Sequence, residues 1–325
     1  MEVISKKMKR VVITGGTGFV GANLARRLLS DGHEVHLLVR ENYTPWRIEA
    51  IRQDVRLHAI RLEDGDLLGQ KIETIRPDWI FHLATYGAYS YQRDLRAMVQ
   101  ANIIGTINLV EACTKPGFEV FVNTGSSSEY GVKDHPPSEQ EWLEPNSHYA
   151  VTKASATLFC RYTARRLGVC LPTLRLYSVY GPYEEPTRLI PTLIVQGVKG
   201  KLPRLVNPTI ARDYVFVDDA VEAYLLAATR PNQELGAVYN VGTGVQTSLR
   251  EVVEVTRQVF HIEEDPAWGS MPNREWDTEI WVSDNRKIKE ELGWQPRQPF
   301  HQGFSRTVQW FYDHPDMMTS YGRLS

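Results

Sequence analysis

The side chains best suited to proton chemistry in this sequence are a tyrosine and a lysine four residues apart, Tyr149 and Lys153. On a helix, this spacing places both side chains on one face. A free phenol titrates at about pH 10, too high for proton transfer at neutral pH, and a neighbouring ammonium lowers that pKa because it stabilises the phenolate. Ser126, in a serine-rich segment upstream, could hydrogen-bond the same substrate oxygen. An ordinary surface Tyr–Lys pair has the same spacing, so the interpretation depends on the rest of the chain.

A glycine-rich segment near the start of the chain supplies that context. Residues 10–21 read RVVITGGTGFVG, and an amphipathic stretch follows over residues 22–29. The order of strand, glycine turn and helix predicts a site for a dinucleotide pyrophosphate, because glycine lets the backbone approach closely and a helix start offers unpaired N–H groups. We therefore interpret the tyrosine–lysine pair as catalytic, and the positive nicotinamide of an oxidised cofactor would stabilise the phenolate further.

The end of the next predicted strand bears on which nicotinamide cofactor binds. Val39 lies where an acid would hold the ribose 2′-hydroxyl of NAD, and Arg40 follows it. A guanidinium pairs with a 2′-phosphate, whereas a carboxylate would repel one. The sequence therefore favours NADP(H), with NAD(H) possible, although an exposed surface arginine would give the same pattern.

Apolar runs alternate with helix-length segments through the first half of the chain. The predicted strands are Val11–Ile13, Glu34–Val39, Val55–Ile60, Trp79–Leu83, Val120–Thr124 and Leu171–Leu176, and predicted helices include Ala22–Leu29, Val99–Cys113 and Tyr149–Leu167. The alternation is typical of an α/β fold with a doubly wound parallel (Rossmann) sheet, where ligands bind at the carboxyl ends of the strands. We expect a dinucleotide-binding domain over residues 1–181, to which 213–243 return, and a smaller C-terminal α/β substrate-binding domain over 182–325.

Composition limits the partners and the compartment. The chain has 325 residues, a net charge of −2 and no basic tract, which argues against nucleic acid as a partner. No apolar run approaches the roughly 18 residues of a membrane span, and the first ten residues lack the apolar core of a signal peptide. The cysteines Cys113, Cys160 and Cys170 have no metal-type spacing, so we predict no metal site and a reducing compartment. A cytoplasmic enzyme is the expectation.

From about Arg10 to about Pro296 the chain resembles the extended short-chain dehydrogenases/reductases that act on nucleotide sugars. The matching motifs are TGGTGFVG (14–21), FHLA (81–84), NIIGT (102–106), Tyr-x-x-x-Lys (149–153), RDYVFVDD (212–219), YNVGTG (239–244) and LGWQP (292–296). The resemblance implies a nucleotide-diphosphate sugar as substrate, a nicotinamide cofactor and a homodimer.

The resemblance also implies roles for particular residues. Tyr149 would be the acid/base, Lys153 its partner and ribose ligand, and Ser126 the orienting hydroxyl. The predicted cofactor-binding residues are Gly15, Thr17, Gly18, Phe19, Val20, Gly21, Arg40, Arg61, Leu62, Leu83, Ala84, Thr85, Asn102, Thr124, Tyr149 and Lys153. The predicted substrate-binding residues are Ser126, Ser127, Ser178, Arg188, Arg212 and Arg274. From the sequence pattern alone, each of the three arginines is as well explained by a phosphate contact as by a solvated surface charge. The resemblance adds that Arg212 and Arg274 match positions that bind the pyrophosphate in the family.

Four departures from the family pattern restrict the reaction. The acid for NAD is missing at Val39, Arg61-Leu62 replaces an Asp-Leu or Asp-Ile pair near the adenine, and Ser178 replaces an asparagine. Related sugar 4,6-dehydratases carry a glutamate where this chain has Ser128, and that glutamate helps to eliminate water. Glu129 is one place later and would point the other way if the segment were strand-like.

These observations favour an NADPH-dependent reductase that acts at C4 of an NDP-4-keto-6-deoxyhexose, with Tyr149 giving the oxygen its proton. The alternative is an NDP-sugar 4-epimerase that oxidises C4 transiently with bound NAD. A 4,6-dehydratase ranks lower because Ser128 cannot supply the acid/base step. A non-catalytic nucleotide sensor ranks last, because a sensor does not need the trio of Tyr149, Lys153 and Ser126.

Overall fold

The computed structural model describes residues 7–230, 234–272 and 278–323. Its larger sheet has seven parallel strands in the order β3-β2-β1-β4-β5-β6-β9. These strands are β1 (Arg10–Thr14), β2 (Glu34–Val39), β3 (Arg56–Ala59), β4 (Trp79–His82), β5 (Val120–Ser126), β6 (Thr173–Leu176) and β9 (Val238–Val241). The strand order reverses between β1 and β4, which creates the crevice in which ligands of such sheets bind.

The central strand shows why the sequence folds this way. Val11, Val12 and Ile13 are fully buried. Val11 and Ile13 belong to one hydrophobic core and Val12 to the other, because successive side chains of a strand point to opposite faces. A continuous β-branched run is therefore what a strand covered by helices on both faces requires.

Helices cover both faces of this sheet. The helices of the described residues are α1 (Phe19–Ser30), α2 (Gly65–Ile75), α3 (Leu95–Val99), α4 (Gly105–Thr114), α5 (His148–Leu167), α6 (Leu189–Val198), α7 (Val217–Thr229), α8 (Leu249–Phe260), α9 (Arg286–Leu292), α10 (Phe300–Asp313) and α11 (Pro315–Gly322), and only some of them pack on the larger sheet. Helices α1, α7 and α9 contribute to one core, and α2, α4 and α5 to the other. Within the described residues, no helix is long and apolar enough to span a bilayer.

A smaller sheet lies beyond the carboxyl end of β6. Its strand order is β10-β8-β7. The central strand β8 (Ala211–Phe216) is parallel to β7 (Ser178–Tyr180) and antiparallel to β10 (Gln246–Ser248). A third core joins this sheet to α6, α8, α10 and α11. Residues 213–243 thus divide between the two sheets: β8 pairs in the smaller sheet, while β9 extends the larger one.

All six predicted strands are present, with ends displaced by at most two residues. The predicted helix over 99–113 differs, because the structure has α3, a π-helical turn at Gln100–Ile104 and then α4. This bulge widens the helix beside the site described below. Such bulges often lie at functional sites.

Candidate active site

The glycine turn lies between β1 and α1 and packs against the end of β4. Gly15 has a φ of +70°, and a Cβ there would lie 2.6 Å from the Ala84 nitrogen, so only glycine fits. Helix α1 begins at Phe19, with Gly18 giving no side-chain cap and no acid in the first turn. The helix start therefore keeps its backbone N–H groups and positive dipole end for an anion, as a dinucleotide pyrophosphate requires.

Two arginines predicted to contact the cofactor follow neighbouring strands. Arg40 follows β2 and Arg61 follows β3, and these strands are neighbours, so both residues lie at one edge of the sheet. Both are exposed, and Arg61 has Glu63 at 3.7 Å. Leu62 is half-buried and would meet a Cβ placed on Gly105 at 3.0 Å, so it packs on α4.

Tyr149 and Lys153 lie in the first two turns of α5. Ser147 caps this helix and accepts a hydrogen bond from the Ala150 N–H at 3.2 Å. Lys153 is only 3% exposed, whereas Tyr149 is half-buried. Both residues belong to one regular α-helix at positions i and i+4, so they lie on the same helix face, as predicted.

Burial has the largest effect on the pKa values of this pair. Burial raises the pKa of the Tyr149 phenol, although the neighbouring hydroxyls of Ser126 and Thr85 act in the opposite direction. Burial also lowers the pKa of Lys153. In the cofactor-free protein, burial thus has a larger effect on the phenol's pKa than the neighbouring polar groups have, and the lowering of this pKa by the ammonium and an oxidised nicotinamide stays a prediction.

The serine loop is a 3₁₀ turn, not an extension of the strand. Residues Ser127–Tyr130 form it, and Ser126 caps it by accepting from the Ser128 N–H at 3.2 Å. Glu129 closes the capping box, since its Oε1 accepts from the Ser126 N–H at 2.8 Å. The hydroxyls of Ser126 and Ser128 are 2.7 Å apart, so the orienting serine is held from two sides.

Glu129 is fully buried and turned towards the core. Its Oε2 accepts from Arg175 Nε at 2.8 Å, and its Oε1 accepts from the Thr157 hydroxyl at 3.0 Å. Arg175 also donates to the Tyr130 hydroxyl at 2.8 Å, and Tyr130 donates to Asn240 at 2.7 Å. The expectation that Glu129 points away from the substrate agrees with this arrangement, but the reason is the ion pair with Arg175 and not strand alternation.

Asn102 lies in the π-helical turn and is 1% exposed. Its Oδ1 accepts from the Tyr86 N–H at 2.8 Å and from the Thr85 hydroxyl at 3.1 Å. Its Nδ2 donates to the Tyr86 carbonyl at 2.8 Å and to the Thr152 hydroxyl at 2.9 Å. All four of its hydrogen-bonding positions are used, so Asn102 ties the loop after β4 to helix α5.

The other predicted cofactor contacts lie around the same crevice. Leu83 and Ala84 are half-buried beside Gly15, and Thr85 follows them as an exposed residue. Thr124, in β5, is 2.6 Å from the Tyr224 hydroxyl. Thr17 lies in the glycine turn, while Phe19, Val20 and Gly21 form the first turn of α1.

The predicted substrate contacts are more dispersed. Ser127 is buried next to the capping serine, and Ser178 begins β7, opposite Tyr214. Arg188 is the N-cap residue of α6, where its side chain makes no capping hydrogen bond. Its positive charge acts to lower the pKa of Tyr149, against the larger effect of burial. Arg212 lies 5.4 Å from the centre of the Trp281 ring and donates to the Ala211 carbonyl at 2.7 Å. Arg274 lies outside the described residues.

Glu184 and Arg47 were not predicted from the sequence. Glu184 is 5% exposed, and burial raises its pKa to about 8 although Arg188 Nε is 3.7 Å away. Arg47, 7% exposed, donates to the Tyr183 carbonyl and to Glu185, each at 2.8 Å. These bonds join the segment after β2 to the turn before α6, and no local motif marks either residue.

Comparisons with known proteins agree with this geometry. The chain matches the NAD dependent epimerase/dehydratase family over residues 11–242. It is 30% identical over 314 residues to a UDP-glucose 4-epimerase of Mycolicibacterium smegmatis, covering 93% of this chain and 98% of that protein. It is 28% identical over 316 residues to a dTDP-glucose 4,6-dehydratase of Streptomyces griseus, covering 94% of each. A trifunctional UDP-glucose 4,6-dehydratase/3,5-epimerase/reductase of Arabidopsis thaliana is 27% identical over 95% of this chain, which spans about half (48%) of that relative.

Solved structures give the same result. A UDP-glucose 4-epimerase of Thermotoga maritima with UDP-glucose superimposes with a TM-score of 0.84 at 26% identity, covering 93% of this chain and 98% of that one. A Thermus thermophilus UDP-glucose 4-epimerase in complex with NAD gives 0.82 at 27% identity, covering 94% and 99%. The predicted resemblance and the Rossmann fold are confirmed. The chain therefore belongs to the NAD-dependent epimerase/dehydratase family of nucleotide-sugar enzymes.

Proposed function

We propose that this enzyme carries out hydride and proton transfer at C4 of a nucleotide-diphosphate sugar without eliminating water, most specifically as an NADPH-dependent reductase of an NDP-4-keto-6-deoxyhexose. The proposal rests on the burial and the hydrogen bonds of the Glu129 carboxylate. This carboxylate is fully buried, and its oxygens accept from Ser126, Thr157 and Arg175. Ser128 fills the neighbouring position, so the loop presents hydroxyls and no acid to the sugar.

In this proposal Tyr149 is the proton donor. A pKa raised by burial keeps the phenol protonated at neutral pH, which suits proton transfer to a ketone oxygen as it becomes an alcohol. The bound nicotinamide cofactor would supply the hydride. Ser126 would hydrogen-bond the same oxygen, and its capping bonds fix its orientation beforehand.

Lys153 would hold the cofactor ribose. Its ammonium makes no hydrogen bond with the described residues, although the side chain is 3% exposed, so its donors are available to a ligand. Residues 182–325 would mainly bind the substrate, with Arg188, Arg212 and Arg274 near its phosphates, and the enzyme would act as a homodimer.

Two exposed arginines support NADP(H) as the cofactor. Arg40 and Arg61 follow neighbouring strands, and β2 ends at Val39 instead of an acid. Guanidinium groups at this edge suit a 2′-phosphate. The test is to compare the Kd values of NADP⁺ and NAD⁺ for the wild type, for Arg40→Asp and for Arg52→Asp, a control at an exposed arginine away from the strand ends. Arg40→Asp should weaken NADP⁺ binding only; tighter NAD⁺ binding by the wild type, unchanged by Arg40→Asp, would refute the preference.

A 4-epimerase is the second candidate, because the relative from Mycolicibacterium smegmatis is a UDP-glucose 4-epimerase and the chain keeps Tyr149 and Lys153. Incubation with UDP-, dTDP-, GDP- and CDP-sugars, including 4-keto-6-deoxy forms, separates the two functions. A reductase oxidises one NADPH for each sugar reduced, which absorbance reports directly. Turnover with only a catalytic trace of cofactor, and products that differ in configuration at C4, would indicate an epimerase.

A further inference from the structure

A buried chain of hydrogen bonds runs through His82 and is not explained by the function proposed above. The Ala84 N–H donates to the Thr14 hydroxyl at 3.2 Å, and that hydroxyl lies 2.7 Å from His82 Nδ1. On the other side, His82 Nε2 lies 2.9 Å from the Thr106 hydroxyl, which donates to the Asn102 carbonyl at 2.7 Å. Thr14, His82, Thr106 and Asn102 are each at most 2% exposed.

The direction of each bond in this chain follows from its two ends. A carbonyl oxygen can only accept, so the Thr106 hydroxyl must give its proton to Asn102 and accept one from His82 Nε2. His82 Nδ1 then carries no proton and accepts from Thr14, which itself accepts from the Ala84 N–H. Burial, with the charge of Lys153 nearby, lowers the pKa of His82 to about 3, which agrees with this neutral state.

The chain continues from Asn102 to the proposed acid. Asn102 Nδ2 donates to the Thr152 hydroxyl at 2.9 Å, and Thr152 donates to the backbone carbonyl of Tyr149 at 2.8 Å. One continuous set of bonds thus links the end of β1, which carries the glycine turn, to the first turn of α5.

We propose that His82, held as the neutral Nε2–H tautomer, is a positioning residue that fixes Asn102, and through it the Tyr149 backbone, relative to the cofactor-binding glycine turn. The catalytic part of this inference rests on the proposed role of Tyr149. The tautomer does not, since the bonds on either side of the ring determine it.

The first test measures the tautomer directly. NMR of protein labelled with [¹⁵N]histidine, with His82→Asn used to assign the signals, should give a neutral Nε2–H pattern for His82 that is unchanged between pH 5 and 8. An Nδ1–H pattern, or titration near the ordinary histidine value of about 6.5, would overturn the proposal. This measurement needs no substrate, so it stands even if the proposed reaction proves wrong.

The second test separates the hydrogen bond at His82 Nδ1 from the hydrogen bond at His82 Nε2. His82→Asn keeps an acceptor near Nδ1 for Thr14 but loses the donor to Thr106, whereas His82→Gln places an amide N–H near Thr106. A small misplacement of a reacting group costs up to about 10²-fold in rate, so His82→Asn should lower kcat by about tenfold or more, with cofactor Kd and KM within about twofold. His82→Gln should recover most of that loss. His36→Asn, at a buried histidine of β2 outside the chain of bonds, is the control for general damage.

Equal losses in His82→Asn and His82→Gln, or a loss confined to KM, would contradict the proposal and indicate a packing role only. If the wild type neither reduces nor epimerises any nucleotide sugar, the proposed function fails, and the NMR result alone then decides the role of His82.

Discussion

Removal of one charge from the Glu129–Arg175 pair should destabilise the protein strongly. Both side chains are almost fully buried, at 0% and 3% exposure, and the carboxylate accepts three hydrogen bonds. Glu129→Gln keeps the shape but turns an amide N–H₂ towards the Arg175 guanidinium or leaves the Ser126 N–H without its partner. Loss of one partner from a buried pair costs about 3–5 kcal/mol, because the remaining charge is uncompensated.

Equilibrium urea unfolding, followed by circular dichroism and tryptophan fluorescence, measures this change in the free energy of unfolding. The control is Glu73→Gln, whose partner Arg76 forms an exposed pair at 2.8 Å; its expected cost is at most about 1 kcal/mol. The double variant Glu129→Gln/Arg175→Met should lose less than the sum of the single variants, because no unpaired charge stays buried. A loss below about 1 kcal/mol in Glu129→Gln would refute the reasoning and reopen a catalytic role for this glutamate.

Three further predictions follow from the site. Tyr149→Phe should lower kcat by about 10²–10⁴-fold and leave cofactor affinity unchanged, as rapid kinetics and calorimetry would report; activity within a few-fold of wild type would contradict the acid/base role. Glu184→Gln should flatten the pH dependence of the free energy of unfolding. In the wild type the folded carboxyl keeps its proton up to about pH 8, whereas the unfolded one loses it at about 4.5, so the free energy of unfolding falls as pH rises through this window. Urea unfolding of both proteins at several pH values checks this. Gly15→Ala should weaken cofactor binding and lower stability, since its φ is +70° and its Cβ would meet Ala84; unchanged binding would exclude close packing there.

The sequence predicted the strands well because buried parallel strands have a strong signal. Val11, Val12 and Ile13 form such a run, because a strand covered on both faces favours apolar residues at consecutive positions. The π-helical turn at Gln100–Ile104 left no comparable signal, because a single inserted residue barely changes apolar periodicity over a 15-residue segment. The pairing of β8 with β7 was also not predictable, because it depends on contacts between distant segments.

The candidate site was predictable where chemistry requires fixed spacing. Tyr149 and Lys153 on one helix, and the glycine turn after β1, follow from local geometry. The direction of the Tyr149 pKa was not predictable, since burial depends on residues brought together only by folding. The same reason applies to Arg175 and His82, whose partners are 46 and 24 residues away along the chain.

The link through Arg47 has a thermodynamic consequence. Arg47 joins the segment that follows β2 and begins at Arg40 to the turn that precedes Arg188. The Tyr321 hydroxyl of α11 donates to the Glu184 carbonyl of the same turn at 2.6 Å. A dinucleotide that orders the first segment would also order the second, so a sugar nucleotide arriving later would lose less conformational entropy. Because such coupling is reciprocal, each ligand should tighten the binding of the other by the same factor. On this reasoning helix α11, far along the chain from the glycine turn, would contribute to the affinity for both ligands.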